Sequence, residues 1–156
     1  MCFPKDFAVF SRTRVWQGSA PDWTVYLEGE DDTISAHAGI VDRIIRVGEE
    51  TIRVAGVQNV FVLPEWRGRG LCDRVMEVVA EHCLSAGFDC GLLFCVPKLV
   101  KVYRRTGWRR LGAVGIIRID EKGMEVPLPG PNAAMALPLN RPAFPAGTIQ
   151  LRGNDW

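Results

Sequence analysis

A chain of 156 residues with 47% hydrophobic and 24% charged side chains has the composition of one globular domain, which excludes a disordered protein. The formal net charge is only +1, so the sequence offers no general attraction to nucleic acid or to an acidic membrane surface. No apolar run approaches the roughly 20 residues of a membrane span, and Met1–Trp16 lacks the apolar stretch of a secretory signal. We therefore expect a cytoplasmic protein without nucleic-acid or membrane partners.

The cysteines are odd in number and lack the paired spacing of zinc ligands. They are Cys2, Cys72, Cys83, Cys90 and Cys95. We expect free, buried thiols in a reducing compartment and no metal site.

Apolar and β-branched residues predict three strands in the first half of the chain, Trp23–Glu28, Ile34–Val47 and Thr51–Leu63. An acidic turn over Gly29–Thr33 separates the first two, and Gly48-Glu49-Glu50 forms a hairpin turn between the second and the third. Two long strands joined by so short a turn are expected to pair antiparallel.

The helical period is clearest over Leu71–Ala86, and Gly87 is placed to end this helix. Its apolar face consists of Leu71, Val75, Val78, Val79 and Cys83. The continuous apolar run Gly91–Val96 predicts a strand buried on both faces. Pro97 then opens a second predicted helix, Lys98–Thr106, which Gly107 ends.

One or two further strands are predicted over Trp108–Asp120, and an edge or closing strand over Ala134–Leu139 in the proline-rich tail 121–156. Helices and strands that alternate after an antiparallel hairpin indicate a mixed sheet with helices packed on it, an α/β (α+β) fold. We expect a single domain over residues 1–156, with a short N-terminal segment 1–22 and a core 23–112.

The junction between the third strand and the first helix is built to hold an anion. It contains Arg67-Gly68-Arg69-Gly70, directly before a helix N-terminus with its exposed amides and partial positive charge. Glycines let a phosphate approach these amides, and the arginines add full charge. The alternative is an ordinary strand-to-helix turn. The P-loop and dinucleotide-binding glycine motifs are both absent from the sequence.

Two motifs in the right order resemble those of the GNAT N-acetyltransferases. The stretch Val60–Leu71 resembles the central motif of that superfamily, a strand, Pro-Glu-aromatic and Arg-Gly-basic-Gly, and Val102–Trp108 resembles its second signature, a Tyr followed by Gly and an aromatic residue. The resemblance covers roughly residues 23–112. The long hairpin, the end of the second motif and the terminal Asp155-Trp156 look most like the aminoglycoside 2′-N-acetyltransferases.

The resemblance implies a mostly antiparallel central sheet and acetyl-CoA as the acyl donor. The pantetheine arm would lie along the motif strand and bond to the backbone of Val60, Phe61 and Val62. The pyrophosphate would lie on the amides of Arg67, Gly68, Arg69, Gly70, Leu71 and Cys72. Cys72 stands where the family usually has Gly or Ala.

The resemblance also implies how the acyl group moves to an amine acceptor. Tyr103 matches the family's catalytic tyrosine, and a phenol with a pKa near about 10 is a suitable proton donor to a thiolate with a pKa near about 8.5. The alternative is a core tyrosine bonded elsewhere. The Val62 N–H is the expected oxyanion donor.

The general base is less well defined by the sequence. The aminoglycoside enzymes have a glutamate on the motif strand where this chain has Gln58, which can hold a water or the substrate amine but cannot take a proton. His37 is the alternative base, with a satisfied strand histidine as its ordinary interpretation. Glu28 and Asp42 are weaker candidates, and the amine could also lose its proton to water.

The acceptor is expected to be a small amine. Only 22 residues precede Trp23, too few for the strand and helices that normally wall the acceptor site. The site would then be open, closed by a second subunit in a homodimer, or closed by the tail, where Asp155 and the Trp156 carboxylate would bind a cationic acceptor. Two other functions stay open: a non-catalytic CoA-binding sensory module, and an acyltransferase with a longer acyl donor.

Overall fold

The computed structural model describes residues 18–29 and 33–156. Its long strands are β1 (Trp23–Glu28), β2 (Ile34–Val47), β3 (Glu50–Val62), β4 (Cys90–Cys95) and β8 (Ala133–Pro138). Its short strands are β5 (Arg109–Arg110), β6 (Ile116–Ile119), β7 (Glu125–Pro127) and β9 (Ile149–Gln150). The helices are α1 (Leu71–Ser85) and α2 (Val100–Arg104), with short 3₁₀ turns at Pro64–Trp66 and Pro97–Leu99.

The strands form one mixed sheet in the order β5-β8-β4-β3-β2-β9-β6-β7, and β1 pairs with one end of β2. Most neighbours are antiparallel, while β3 pairs with β4 and β6 with β9 in parallel. The predicted hairpin of β2 and β3 is confirmed, because Val47 pairs with Glu50 across a two-residue turn. The predicted fold class, a mostly antiparallel sheet with helices packed on it, is therefore confirmed.

Side chains alternate between two faces of this sheet, so the sheet has a separate apolar cluster on each face. The first face carries Ala36, Ala38 and Val57 and packs against α1 and α2. The second face carries Val41, Val54 and Leu92. It is covered by apolar residues of the C-terminal part of the chain: Leu111, Val114, Ile116, Phe144, Ile149, Leu151 and Trp156. The second face is thus covered by C-terminal residues, whereas the first face is covered by helices.

Several predicted elements differ from the observed ones in extent. The predicted helix Lys98–Thr106 begins as the 3₁₀ turn Pro97–Leu99, and its α-helical part is only Val100–Arg104. The predicted edge or closing strand at Ala134–Leu139 is an interior strand, β8, because the two-residue β5 pairs along its outer side. Trp108–Asp120 contains two strands, β5 and β6. Strands β7 and β9 were not predicted.

Part of the predicted N-terminal pattern lies outside the described residues, namely residues 1–17 and positions 30–32 of the acidic turn. The described ends of that turn close on each other, since the Gly29 N–H donates to the Thr33 carbonyl at 2.6 Å. Among the described residues, no helix has both the length and the apolar character needed to cross a bilayer.

Candidate functional site

The central feature of the site is a divergence between the parallel strands β3 and β4. The two strands pair at Val54, Ala55 and Gly56, and their pairing stops there in the described part of the chain. Strand β3 nevertheless continues to Val62, and β4 continues to Cys95. A gap between two strands of one sheet offers backbone groups to an extended ligand, as a missing strand would.

A β-bulge lies on the opposite side of β3, facing β2. The pairs His37–Phe61 and Gly39–Gln58 enclose one residue of β2 but two residues of β3. Asn59 in the bulge has a φ of 51°, the left-handed conformation that asparagine tolerates better than most residues. Its side-chain Oδ1 is buried and has no hydrogen-bond partner among the described residues. Strained backbone and an unsatisfied polar atom together are typical of a functional position.

The backbone of Val62 faces the gap. Its neighbour Leu63 donates its N–H to the Ser35 carbonyl on β2 at 3.0 Å. Because successive residues of an antiparallel strand alternate in the direction of their amide groups, the N–H and C=O of Val62 turn away from β2, toward the β4 side. The Val62 carbonyl accepts a hydrogen bond from Arg67 Nε at 3.1 Å. This bond ties the end of β3 to the loop that follows it.

That loop opens onto the N-terminus of α1. Gly68 and Gly70 have φ values of 76° and 74°, and a Cβ placed on either would meet no described atom within 4 Å. Gly70 is the N-cap of α1 without a side-chain cap, and the first bond within the helix runs from the Arg74 N–H to the Gly70 carbonyl at 3.1 Å. The open space lies in front of the helix N-terminus, where an anion is stabilised.

Charged side chains in the loop and at the start of α1 contact neighbouring groups. The Arg69 guanidinium lies 4.6 Å from the centre of a Trp66 ring, a cation–π contact that holds the arginine beside the loop. An ion pair of 2.7 Å joins Asp73, in the first turn of α1, to Arg105, which caps α2. Hydrogen bonding with Asp73 raises the pKa of Arg105. The second signature motif is therefore linked directly to the first turn of the helix that follows the loop.

Tyr103 lies in α2 and is buried, with 8% of its surface exposed, in the apolar cluster of the first face. Its carbonyl accepts hydrogen bonds from the N–H groups of Thr106 and Trp108, which fold the chain back after the helix. The tyrosine ring thus belongs to the layer between the helices and the sheet, on the helix side of the gap.

His37 lies on the other face, opposite Phe61 at the bulge. Its ring stacks on the Phe61 ring with centroids 5.0 Å apart, and its Nδ1 lies 2.9 Å from the Asn59 carbonyl. A carbonyl only accepts hydrogen bonds, so Nδ1 carries the proton in the neutral ring and Nε2 keeps its lone pair. This tautomer leaves His37 able to take a proton at Nε2.

Gln58 also lies on the second face, and it is 5% exposed. Its Nε2 donates to the Ser19 carbonyl at 2.8 Å, while its Oε1 is buried without a hydrogen-bond partner in the described ranges. The Gln58 amide is therefore partly engaged by the segment that precedes β1. Asp42, a weaker candidate base, is held by Arg53 in an ion pair of 2.7 Å, and Glu28 is exposed.

Trp156 fills the apex of the gap from the second face. Its indole Nε1 donates to the Leu92 carbonyl at 3.3 Å, and a Cβ placed on Gly56 would come within 2.3 Å of its ring. Gly56 and Leu92 form the last pair of β3 with β4, so the indole lies where the two strands separate. Asp155 faces Arg118 at 3.4 Å. The indole is thus part of the core, and the Asp155 carboxylate already has a cationic neighbour.

The described cysteines are free, buried thiols, as predicted: Cys72, Cys83, Cys90 and Cys95. Cys2 lies outside the described residues. Burial raises the pKa of Cys83 to about 12 and those of Cys90 and Cys95 to about 11. These three thiols are unsuited to nucleophilic catalysis at neutral pH.

Three residues that shape the site were not predicted from the sequence. Asn59 had a usable signal, because asparagine is disfavoured in strands and often marks a bulge. Arg43 and Ser19 had none: Arg43 lies 5.2 Å from the Trp156 ring and bonds to Ser19 Oγ and to the Asn154 carbonyl, contacts between distant parts of the chain.

Comparison with known proteins identifies relatives of this chain. The chain is 30% identical over 96 residues to an aminoglycoside 2′-N-acetyltransferase of Mycolicibacterium fortuitum; the match covers 58% of this chain and 49% of that enzyme, so the chain spans about half the length of this relative. A GCN5-related N-acetyltransferase from Kribbella flavida is 28% identical with a TM-score of 0.52, over 57% of this chain and 22% of that one.

A GNAT family N-acetyltransferase from Escherichia coli, solved in complex with CoA, has a TM-score of 0.60 at 12% identity, over 85% of this chain and 68% of that one. This likeness shows a common fold. The family model of the acetyltransferase (GNAT) domain matches residues 2–111, more than half of the chain. By that match and by its fold, the chain belongs to the GNAT acetyltransferase family.

Proposed function

We propose that the protein is an acyl-CoA-dependent N-acyltransferase that moves an acetyl group from acetyl-CoA to a small primary amine. One observation carries the proposal: the gap between β3 and β4 leads to the open loop at the N-terminus of α1. Acetyl-CoA has its thioester at one end of a long arm and its diphosphate at the other end. It therefore needs one site for each group, with the two sites joined to each other. Membership of the GNAT family and the CoA complex of the Escherichia coli neighbour support this choice of donor.

In this proposal the diphosphate of acetyl-CoA lies on the amides from Arg67 to Cys72, with Gly68 and Gly70 giving it room. The pantetheine arm follows Val60, Phe61 and Val62 into the gap. Burial in the gap excludes water, which strengthens each polar contact to the thioester.

The transfer is a direct attack on the thioester. The amine lone pair forms a bond to the carbonyl carbon, and the carbonyl oxygen becomes an oxyanion that accepts a hydrogen bond from the Val62 N–H. The carbon–sulfur bond then breaks, the sulfur leaves with the electron pair, and the phenol of Tyr103 gives it a proton from the helix side. The nitrogen gives its excess proton to a base, and the phenolate is reprotonated by solvent.

His37 is our choice for that base. It lies on the face opposite Tyr103, and its neutral tautomer presents Nε2 as an acceptor. Gln58 would orient the amine or a water through its buried Oε1. Asp155 and the Trp156 carboxylate would draw in the cationic form of the acceptor from the same face. The gap therefore separates an acid on one face from a base on the other.

The experiment is a pair of measurements on the full chain and a Tyr103→Phe variant. Acetyl-CoA should raise the melting temperature of both proteins, because binding to the folded state stabilises it. Release of free thiol from acetyl-CoA with an accepted amine should fall about 10²–10⁴-fold in the variant. Equal turnover by the two proteins would remove Tyr103 from the mechanism, and the absence of any stabilisation by acetyl-CoA would refute the proposed donor.

Gln58 favours a second candidate function, a CoA-binding module without catalysis. An amide cannot take a proton, and here it is partly occupied by the Ser19 carbonyl. This candidate predicts stabilisation by acetyl-CoA without thiol release for any amine in a broad panel. Release of free thiol with any one amine would show that the protein is an enzyme and not a non-catalytic CoA-binding module.

A further inference from the structure

A cavity of about 470 Å³ lies next to the proposed site and has no part in the mechanism above. It is bordered by Ala133 and Ala134, at the start of β8, which pair with Cys95 and Phe94 at the end of β4. One edge of β4 therefore faces the gap, and the other edge pairs with β8, whose first residues border the cavity. The volume is in the range that accommodates small-molecule ligands.

The charge of the cavity lining is one-sided. Arg104 and Arg110 line it together with small and aliphatic residues, and the lining contains no acidic side chain among the described residues. Asn132 adds a neutral polar group. The charge of Arg110 also acts on Cys95 in β4. Burial raises the pKa of this thiol, and the positive charge of Arg110 lowers it.

These two arginines lack the carboxylate partner that about half of the described arginines have. Six arginines form ion pairs with carboxylates: Arg46, Arg53, Arg74, Arg105, Arg118 and Arg141. Within the described ranges, no ion pair involves Arg104 or Arg110. Two guanidinium groups at one cavity, with no carboxylate to neutralise them, suit a carboxylate or a phosphate.

We propose that this cavity binds a carboxylate or phosphate group of the acceptor, so that the substrate is an amine that also carries an anion. The inference rests on the proposed acetyl transfer. Arg104 directly follows Tyr103 in α2, so an anion held by Arg104 and Arg110 would place its amine near the end of β4 and the gap. Gly112, which has no side chain, and Ala113, which has a small one, leave room for the ligand.

The test uses matched pairs of amines with the protein saturated with CoA, so that no turnover occurs. The probes are glucosamine 6-phosphate against glucosamine and glycine against glycinamide, measured by calorimetry. We expect the anionic member of at least one pair to bind roughly tenfold to hundredfold more tightly. Arg110→Gln should abolish that difference, and Arg109→Gln, which alters the adjacent arginine outside the cavity lining, should preserve it.

Equal affinities within both pairs, or a preference that Arg110→Gln leaves intact, would overturn the inference. A further arm compares CoA with dephospho-CoA. If Arg110→Gln weakens CoA but not dephospho-CoA, the arginine serves the 3′-phosphate of the donor and the inference is wrong. Tight binding of the anionic amine without thiol release from acetyl-CoA would uphold the anion site while the proposed function fails.

Discussion

Asn59 is the residue on which the geometry of the second face depends most. Its left-handed backbone creates the bulge in β3, and its carbonyl holds the Nδ1 of His37. The sequence identifies His37 as a base candidate, but not its tautomer, because that depends on a carbonyl 22 residues further along the chain. The contact between His37 and the Asn59 carbonyl lies at the bulge that changes the register between β2 and β3.

His37→Gln tests the role of the imidazole as a base. The amide can still donate to the Asn59 carbonyl, but it cannot take a proton, so turnover should fall about 10²–10⁴-fold. His82→Gln, at the other histidine of the chain, is the control and should keep the rate. An unchanged rate in His37→Gln would show that the amine loses its proton without this residue.

The buried thiols predict how stability changes in alkali. Each has a folded-state pKa raised from 9.0, to about 12 for Cys83 and to about 11 for Cys90 and Cys95. Between pH 9 and 11 the unfolded chain loses these protons while the folded chain keeps them, so their stabilising effect is complete below about pH 9 and declines above it. The free energy of unfolding should fall over this interval. Cys83→Ala should reduce the slope, and an unchanged slope would contradict the raised pKa of that thiol.

Helix α1 illustrates what a sequence predicts well at the scale of one element. Its start after Gly70 and its end before Gly87 are local properties, and both are confirmed. Of the predicted apolar face, Val75, Val79 and Cys83 are buried, while Cys72 and Met76 are buried in place of Leu71 and Val78. The second helix is shorter than predicted because its first residues form a 3₁₀ turn after Pro97. Strand β9 was missed because two residues have no period of their own, and only their pairing with Arg46 and Val47 defines them.

A matched pair of glycines tests whether the loop before α1 binds the donor. Gly70 and Gly87 flank the same helix with φ values of 74° and 78°, and a Cβ on either would meet no described atom within 4 Å. Changing either to alanine should cost about 1–2 kcal/mol of stability, since both need a left-handed backbone. Only Gly70→Ala should raise the KM for acetyl-CoA, by roughly tenfold or more. Equal KM values in the two variants would exclude the loop as the diphosphate site.

The whole molecule is organised around a sheet whose two faces are covered differently. Helices cover the first face, and the C-terminal part of the chain covers the second, ending with Trp156 at the apex of the gap. Ser19 lies against this end, because its N–H donates to the Asp155 carbonyl at 2.8 Å and its own carbonyl accepts from Gln58. Such contacts span nearly the whole sequence. For this reason the role of Trp156 in the core could not be predicted from the sequence.

Trp156→Ala tests that role. Removal of a buried indole should lower the free energy of unfolding by about 3–5 kcal/mol and raise the KM for acetyl-CoA, because β3 and β4 lose the group that fills their point of separation. Trp23→Ala removes an indole that is 37% exposed and should cost less, with no effect on KM. Chemical denaturation with initial-rate kinetics gives both quantities. An equal cost for the two variants would contradict the assigned packing.

The most direct measurement is a crystal structure of the protein with bound CoA. We expect the diphosphate on the amides between Arg67 and Cys72, and the pantetheine arm between β3 and β4 with its sulfur beside Tyr103. The strands should stay separated beyond Gly56, as they are without the ligand. A CoA molecule bound elsewhere, with β3 and β4 paired along their full length, would contradict the site described above.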